Sequence, residues 1–246
     1  MAPGDRLSLP GRGLNLPGPT TGQRHEHTMD FDVETARRQM IDQQVRAWDV
    51  LDGRVLDVLG EVPREHFVPE AYRDVAFADA TIPLAHGQCM LAPKVDGRIL
   101  QALGLGRSDE VLEVGTGSGF LTACLARQAR HVRTLEIFPE LSRGAARALQ
   151  ALSVTNVTAE TADATKLDES GLYDAIALTA SLPVYDPRFE RALRPGGRLF
   201  VVVGSAPVME ARLVTRAGED QWVSEALFET VIPPMVNAVG PDPFRF

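Results

Sequence analysis

The chain has 246 residues, a net charge of −8 and an apolar content of 44%, which is typical of a globular protein. Because the acidic balance disfavours contact with a phosphate backbone, we expect no nucleic-acid partner. No apolar run reaches membrane-spanning length and the N-terminus lacks the apolar stretch of a secretory signal, so we expect no membrane partner. Two cysteines, Cys89 and Cys124, provide no disulfide framework, and a reducing cytoplasm is the expected compartment.

Residues 1–28 differ from the rest of the chain in composition. They contain many prolines and glycines and few large apolar side chains. Such a segment buries too little apolar surface to offset its ordering entropy, so we predict a disordered N-terminal extension. Met29 opens the first patterned region, and residues 1–28 are therefore either a genuine flexible tail or the product of an upstream start.

Residues 29–107 form a predicted helical and substrate-side segment packed on the core. Apolar residues recur at helical spacing after Asp32, and Asp52 is a suitable N-cap for a second helix. Pro93 suits the first turn of a third helix, which the glycines from Gly104 onwards end.

Residues 108–232 alternate between strand and helix patterns. Strands are predicted at 111–114, 131–137, 157–160, 173–179 and 198–203, helices at 119–128 and 140–152, a short helix carrying Phe189 and Leu193, and a tight turn at 195–197. Residues 208–216 and 222–231 alternate like a hairpin. The prediction is an α/β fold with a doubly wound, mostly parallel sheet, N-terminal helices and a C-terminal antiparallel hairpin. Residues 233–246 are predicted to be an irregular tail.

A glycine-rich turn follows the first core strand. The pattern G-x-G-x-G brings bare backbone close to a ligand and directs the N–H groups of the next helix at it. A dinucleotide fingerprint needs a different final spacing, and Phe120 stands where that spacing fails. Glu113 would repel a pyrophosphate but suits a ligand with an ammonium or sulfonium group, so the turn favours S-adenosylmethionine over NAD. The residues predicted to hold this cofactor here are Glu113, Gly115, Thr116, Gly117, Ser118 and Gly119.

Two interpretations of Glu113 stay open. Its carboxylate can anchor the ammonium of the cofactor, directly or through water. It can also be a buried acid held by neighbouring backbone N–H groups, and both can hold together.

Two further acids follow the next strands. Glu136 stands 21 positions after Gly115, a spacing typical of an acid that binds ribose hydroxyls; the alternative is a solvated carboxylate. Asp163, beside Ala164, follows the third strand and can accept from the adenine amino group, with an ordinary turn aspartate as the alternative. We assign Glu136, Asp163 and Ala164 to the cofactor site.

Several segments resemble a known family. Residues 111–119 are similar to the first motif of class I S-adenosylmethionine-dependent methyltransferases. Residues 62–70 and 79–88 resemble segments of the protein-L-isoaspartate O-methyltransferases, and the resemblance covers about residues 30–205. It implies methyl transfer from S-adenosylmethionine to a carboxylate of isoaspartyl protein or peptide, and it adds Gln88 to the cofactor residues.

One departure from the family lies on the acceptor side. Where the family has Thr-Ile-Ser, this chain has Cys89, Met90 and Leu91. The family's serine therefore falls on Leu91, which offers no hydrogen bond. The catalytic residue stays unknown, with Asp79 and Cys89 as candidates. A thiol at Cys89 that only fills the volume of threonine is the alternative.

Other acceptor-side residues are less distinctive. His86 could act as a base or be a structural loop histidine. The loop from Thr179 to Pro183 is expected to line the acceptor side through its backbone. No metal site is predicted, and the oligomeric state is open. The alternatives to isoaspartyl methylation are a relative with a changed acceptor, such as a small molecule, and a non-catalytic cofactor-binding module.

Overall fold

The computed structural model describes residues 32–240. The predicted extension at 1–28 and the start at Met29 lie outside the described residues, as do residues 241–246 of the predicted tail. Among residues 32–240, no helix is long and apolar enough to cross a bilayer.

Between residues 32 and 107, the N-terminal segment contains three α-helices and a small hairpin. They are α1 (Val33–Met40), α2 (Gly53–Glu61), β1 (Ile82–Pro83), β2 (Cys89–Met90) and α3 (Pro93–Leu103). Asp32 and Asp52 cap α1 and α2 by accepting from backbone N–H groups, and Gly104 ends α3 in a left-handed conformation. The boundaries at Asp52 and Gly104 confirm the predicted N-cap and the predicted helix end.

The helical pattern after α1 is less regular than predicted. The chain continues as a π turn (Ile41–Val45) and a 3-10 turn (Arg46–Trp48). Val45 packs against Gly97 of α3, where an added Cβ would lie 2.9 Å from Val45 Cγ1. The irregular turn therefore ends in a close contact that local propensity does not encode.

The core is a seven-stranded sheet with helices between its parallel strands. Its elements are β3 (Glu110–Val114), α4 (Phe120–Gln128), β4 (His131–Glu136), α5 (Pro139–Ala151), β5 (Val157–Thr161), β6 (Tyr173–Leu182), α6 (Pro187–Arg191), β7 (Leu193–Ser205), β8 (Val208–Gly218) and β9 (Gln221–Glu229). The strand order is β5-β4-β3-β6-β7-β8-β9. Strands β3 to β7 pair in parallel, and β8 and β9 are antiparallel, which confirms the predicted fold class.

The chain reverses its direction of travel across the sheet at β3. From β3 it proceeds through β4 to β5, then crosses to β6 on the other side of β3. Ligands of such sheets bind outside the carboxyl ends of the strands at this reversal. The topology therefore places the glycine turn after β3 at the expected ligand position.

One prediction at the second half of the sheet was wrong: Leu193 belongs to β7 instead of α6, and it pairs with Tyr173. Residues 195–197 fall within the span of β7 but have no partner in β6, because the pairing passes from Tyr173–Leu193 to Ala175–Arg198. Gly196 has φ 81°, a conformation that favours glycine. The predicted turn is therefore present as an unpaired interruption of β7.

Strand β6 extends to Leu182, beyond the predicted end at Thr179. Its pairing with β7 is irregular between Ala177 and Ser181. Ala177 pairs with Phe200 and Ser181 pairs with Val202, so four steps along β6 lie opposite two steps along β7. The extra residues form a bulge, a feature that redirects side chains beside functional sites. The predicted acceptor-side loop is therefore the bulged end of a strand.

Candidate cofactor and active site

The glycine turn is tightly packed against β6 and α5. Gly115 has φ 97° and Gly119 has φ 88°, conformations that favour glycine. A Cβ at Gly115 would lie 2.3 Å from Thr179 Oγ1, and one at Gly119 would lie 3.1 Å from Ala145 Cβ. Both positions therefore require glycine for backbone conformation and for space.

Glu136 is fixed at the end of β4 and is 5% exposed. Its Oε2 accepts from the Gly117 N–H at 2.9 Å, and its Oε1 accepts from the Phe138 N–H at 3.0 Å. Each carboxylate oxygen retains a further lone pair for a ligand hydroxyl. The arrangement holds an oriented acceptor beside the glycine turn.

An open cleft lies at the carboxyl edge of the sheet, with about 610 Å³ of empty space that includes open solvent. Six of the predicted cofactor residues line it: Gln88, Gly115, Gly117, Glu136, Asp163 and Ala164. Apolar walls come from Val114, Leu135 and Phe138.

Asp163 closes the β5 side of the cleft. Its carboxylate accepts from the Thr165 N–H at 3.0 Å, the Thr165 hydroxyl at 2.6 Å and Asn237 Nδ2 at 3.1 Å. The Thr165 hydroxyl contributes most to lowering the pKa of Asp163. Asp163 is therefore an ionised acceptor at neutral pH.

A second cavity, with about 300 Å³ of empty space, adjoins the cleft. The two spaces share the lining residues Cys89, Gly115, Gly117 and Thr179. The predicted residues Glu113, Thr116 and Ser118 line this second cavity and not the cleft, and Gly119 lines neither. The Thr116 hydroxyl is 2.6 Å from that of Thr134.

Glu113 is fully buried beneath the second cavity. The hydroxyls of Thr122 and Thr134 donate to its Oε2, while its Oε1 has no hydrogen-bond partner among the described residues. Burial raises the pKa of Glu113 to about 8, so most of it is protonated at neutral pH. Threonine hydroxyls are its hydrogen-bond donors. The interpretation that backbone N–H groups hold this buried acid was therefore wrong.

The catalytic candidates separate in space. Cys89 lines both cavities, and burial raises the pKa of its thiol. Asp79 lines neither cavity and accepts from Lys94 Nζ at 2.8 Å. Leu91 is buried and lines the second cavity. Of these three residues, Cys89 and Leu91 therefore line the second cavity, and Cys89 alone also lines the cleft.

Arg64 supports this region but was not singled out from the sequence. It is fully buried and donates to the carbonyl oxygens of Ala76 at 2.9 Å and Leu91 at 2.6 Å, and to Asp96 Oδ2 at 2.7 Å. Its guanidinium lies 4.7 Å from the centre of the Phe120 ring. Burial raises the pKa of Asp96 to about 6 despite this pairing. The sequence signal that could have identified Arg64 was its place in the family-like segment at 62–70.

The C-terminal segment also contributes to the cleft. Residues Pro233, Pro234, Met235 and Val236 line it. The Ser181 N–H donates to the Pro233 carbonyl at 2.9 Å, and the Met235 N–H donates to the Ser181 carbonyl at 2.8 Å. The sequence predicted only an irregular tail here, because no local pattern indicates these distant contacts.

Comparison with known proteins identifies the family. The model of the family Protein-L-isoaspartate(D-aspartate) O-methyltransferase (PCMT) matches residues 35–239. The chain belongs to this family. It is 37% identical to Protein-L-isoaspartate O-methyltransferase 2 of Pelobacter propionicus, over 84% of this chain and 93% of that protein. It is 36% identical to Protein-L-isoaspartate O-methyltransferase of Magnetococcus marinus, over 84% of this chain and 91% of that protein.

Solved structures agree with the family at the level of the fold. A Plasmodium falciparum structure, described as a protein-L-isoaspartate O-methyltransferase in complex with S-adenosyl-L-homocysteine, has a TM-score of 0.71 at 19% identity. The match covers 82% of this chain and 97% of that chain. A further protein-L-isoaspartate O-methyltransferase structure has a TM-score of 0.72 at 21% identity, over 83% of this chain and 67% of that chain.

Proposed function

We propose that the chain transfers a methyl group from S-adenosylmethionine to the free carboxylate of an isoaspartyl residue in damaged protein. Membership of the isoaspartyl methyltransferase family supports this activity. The observation that carries the cofactor assignment is the Glu136 carboxylate, which two backbone N–H groups fix at the edge of the cleft.

The donor set of the cleft fits the cofactor. Glu136 would accept from the ribose hydroxyls, and Asp163 would accept from the adenine amino group. Gly115 leaves backbone bare where a Cβ has no room. Gln88 also lines the cleft and would contact the nucleoside. When bound, the cofactor supplies an electrophilic methyl group on its sulfonium.

The chain's own contribution to chemistry is positioning and desolvation. An acceptor carboxylate is ionised at neutral pH and needs no base. This fits the residues at the junction of the two cavities, where Cys89 carries a neutral thiol because burial raises its pKa. Met90 and Leu91 supply apolar surface to the second cavity, which would favour desolvation of the acceptor.

A changed acceptor is the second candidate function. It is favoured by Leu91, because a leucine side chain cannot donate the hydrogen bond that the family's serine would offer to a carboxylate. A small molecule with another nucleophilic oxygen would then be the acceptor. A non-catalytic cofactor-binding module would use the same acids, Glu136 and Asp163. The two free thiols are compatible with a cytoplasmic location, which remains part of the proposal.

The acceptor is tested by labelled-methyl transfer from S-adenosylmethionine to an isoaspartyl peptide. The same peptide with an ordinary aspartyl linkage is the substrate control. Leu91→Ser restores a hydroxyl at the family's serine position, and Leu91→Ala shortens the side chain without adding one. The proposal expects label in the isoaspartyl peptide alone, and a higher kcat/KM for Leu91→Ser than for Leu91→Ala.

Each alternative predicts a different result. An inactive wild type with an active Leu91→Ser variant would show that the acceptor has changed. If neither protein transfers label although both bind the cofactor, the isoaspartyl assignment is wrong. Equal label in both peptides would also contradict it.

A further inference from the structure

The segment of residues 84–88, here called the strap, joins β1 to β2 beside the cleft. The Leu84 N–H donates to the Gln88 carbonyl at 2.8 Å, and the Gln88 N–H donates to the Ala85 carbonyl at 3.2 Å. A Cβ on Gly117 would lie 3.4 Å from Leu84 Cδ1. Since Gln88 lines the cleft, the strap lies against the glycine turn at one wall of the cleft.

His86 connects the strap to the start of α5. Its ring is parallel to that of Phe138 within 3°, with 4.2 Å between ring centroids. Its Nε2 is 2.9 Å from Glu140 Oε2. His86 has φ 59°, an uncommon conformation for a residue with a side chain. The contacts with Phe138 and Glu140 offset the cost of that conformation.

The α5 end of this contact belongs to the cofactor wall. Phe138 lines the cleft, and its N–H donates to Glu136 Oε1. His86 therefore joins the strap, which carries Gln88, to the wall that carries Glu136. Opening this contact would separate two linings of the same cleft.

We propose that His86 is a positioning residue that holds the strap closed against Phe138 and Glu140, and that this contact slows the release of the nucleoside ligand. The inference rests on the cofactor assignment of the proposed function. It assigns His86 to ligand retention and not to proton transfer, because its ring is occupied by the stack and by Glu140.

The test measures the dissociation rate of S-adenosylhomocysteine by displacement with excess S-adenosylmethionine. His86→Asn removes the ring and keeps a residue type that tolerates the left-handed backbone. His131→Asn is the matched control, because both histidine side chains are 36% exposed. His131 is the first residue of β4, so it lies at the amino ends of the parallel strands and the cleft lies at their carboxyl ends. Thermal unfolding of the ligand-free proteins checks that both variants are folded.

The proposal expects His86→Asn to raise the dissociation rate about five- to thirty-fold, from the loss of one stack and one hydrogen bond. The KM for S-adenosylmethionine should rise, and kcat at saturation should not fall. His131→Asn should stay within about twofold of wild type. Glu140→Ala should raise the dissociation rate less than His86→Asn does, and Glu140→Gln should raise it little. The double variant His86→Asn with Glu140→Ala should have the same dissociation rate as His86→Asn alone.

A rate within about twofold of wild type for His86→Asn, or an equal rise in His131→Asn, would overturn the inference. A wild type that does not bind S-adenosylhomocysteine would overturn both this inference and the cofactor assignment. If the His86 effect is present but no isoaspartyl peptide is methylated, the acceptor part of the proposed function fails and the role of His86 stands.

Discussion

Glu113 has a charge state that its position in the glycine motif does not reveal. Its place two residues before Gly115 was readable from the sequence, whereas its contacts were not. Thr122 and Thr134 lie on α4 and β4, so only the packing of those elements onto β3 brings their hydroxyls to the carboxyl group. The residue was identified from the motif, and its protonation state follows from burial.

The raised pKa of Glu113 predicts a specific dependence of stability on pH. Burial raises the pKa of Glu113 in the folded protein to about 8 from 4.5, so between these pH values the native state binds one more proton than the unfolded state does. The stabilisation from this proton is complete below pH 4.5 and is lost as pH rises through about 8, by up to about 1.4 kcal/mol per pH unit. Glu113→Gln keeps an acceptor for the threonines and does not titrate.

Urea unfolding at about pH 5.5 and about pH 7.5 checks this expectation without ligand. The free energy of unfolding of wild type should fall relative to that of Glu113→Gln as pH rises. A difference between the two proteins that is the same at both pH values would contradict the assigned pKa.

At the level of elements, Arg64 ties the substrate-side segments to α3. Its three hydrogen bonds reach the chain near Ala76, the end of the β1–β2 hairpin at Leu91, and Asp96 on α3. Removing one partner of a buried pair leaves an uncompensated charge. The positions of Leu91 and of the neighbouring second cavity therefore depend on this residue.

Arg64→Met is expected to lower the free energy of unfolding by about 3–5 kcal/mol, because Asp96 and two carbonyl oxygens lose their donor. Adding Asp96→Asn should recover part of that loss. Arg54→Met is the control, since the Arg54 side chain that pairs with Asp52 is 65% exposed, and it should lose far less. Urea unfolding compares the four proteins. Similar losses in Arg64→Met and Arg54→Met would contradict the structural role of Arg64.

Capped and periodic elements were predictable, and irregular ones were not. Asp32, Asp52 and Gly104 carry local signals that ended or began helices where the sequence indicated. The bulge in β6 has no such signal, because it arises from unequal pairing with β7. That bulge matters to the site, since Thr179 lines both cavities.

At the level of the whole molecule, the sheet topology and the carboxyl-edge acids followed from the sequence. Alternation of strands and helices predicted the parallel sheet, and the spacing of the acids predicted their common edge. The C-terminal wall did not follow, because Asn237 and Asp163 are 74 positions apart. Contacts of that range depend on the completed sheet and leave no periodic pattern.

The most direct test of the cofactor site is calorimetric titration of S-adenosylhomocysteine into wild type, Glu136→Gln and Glu160→Gln. Glu160 lies on the neighbouring strand, pairs with Arg133 and does not line the cleft, so its variant controls for the loss of one carboxylate charge outside the cleft. Glu136→Gln should weaken binding by about 1–3 kcal/mol, because a charged acceptor for the ribose is lost, while Glu160→Gln should bind like wild type. Equal affinity in Glu136→Gln and wild type would contradict the placement of the cofactor in this cleft.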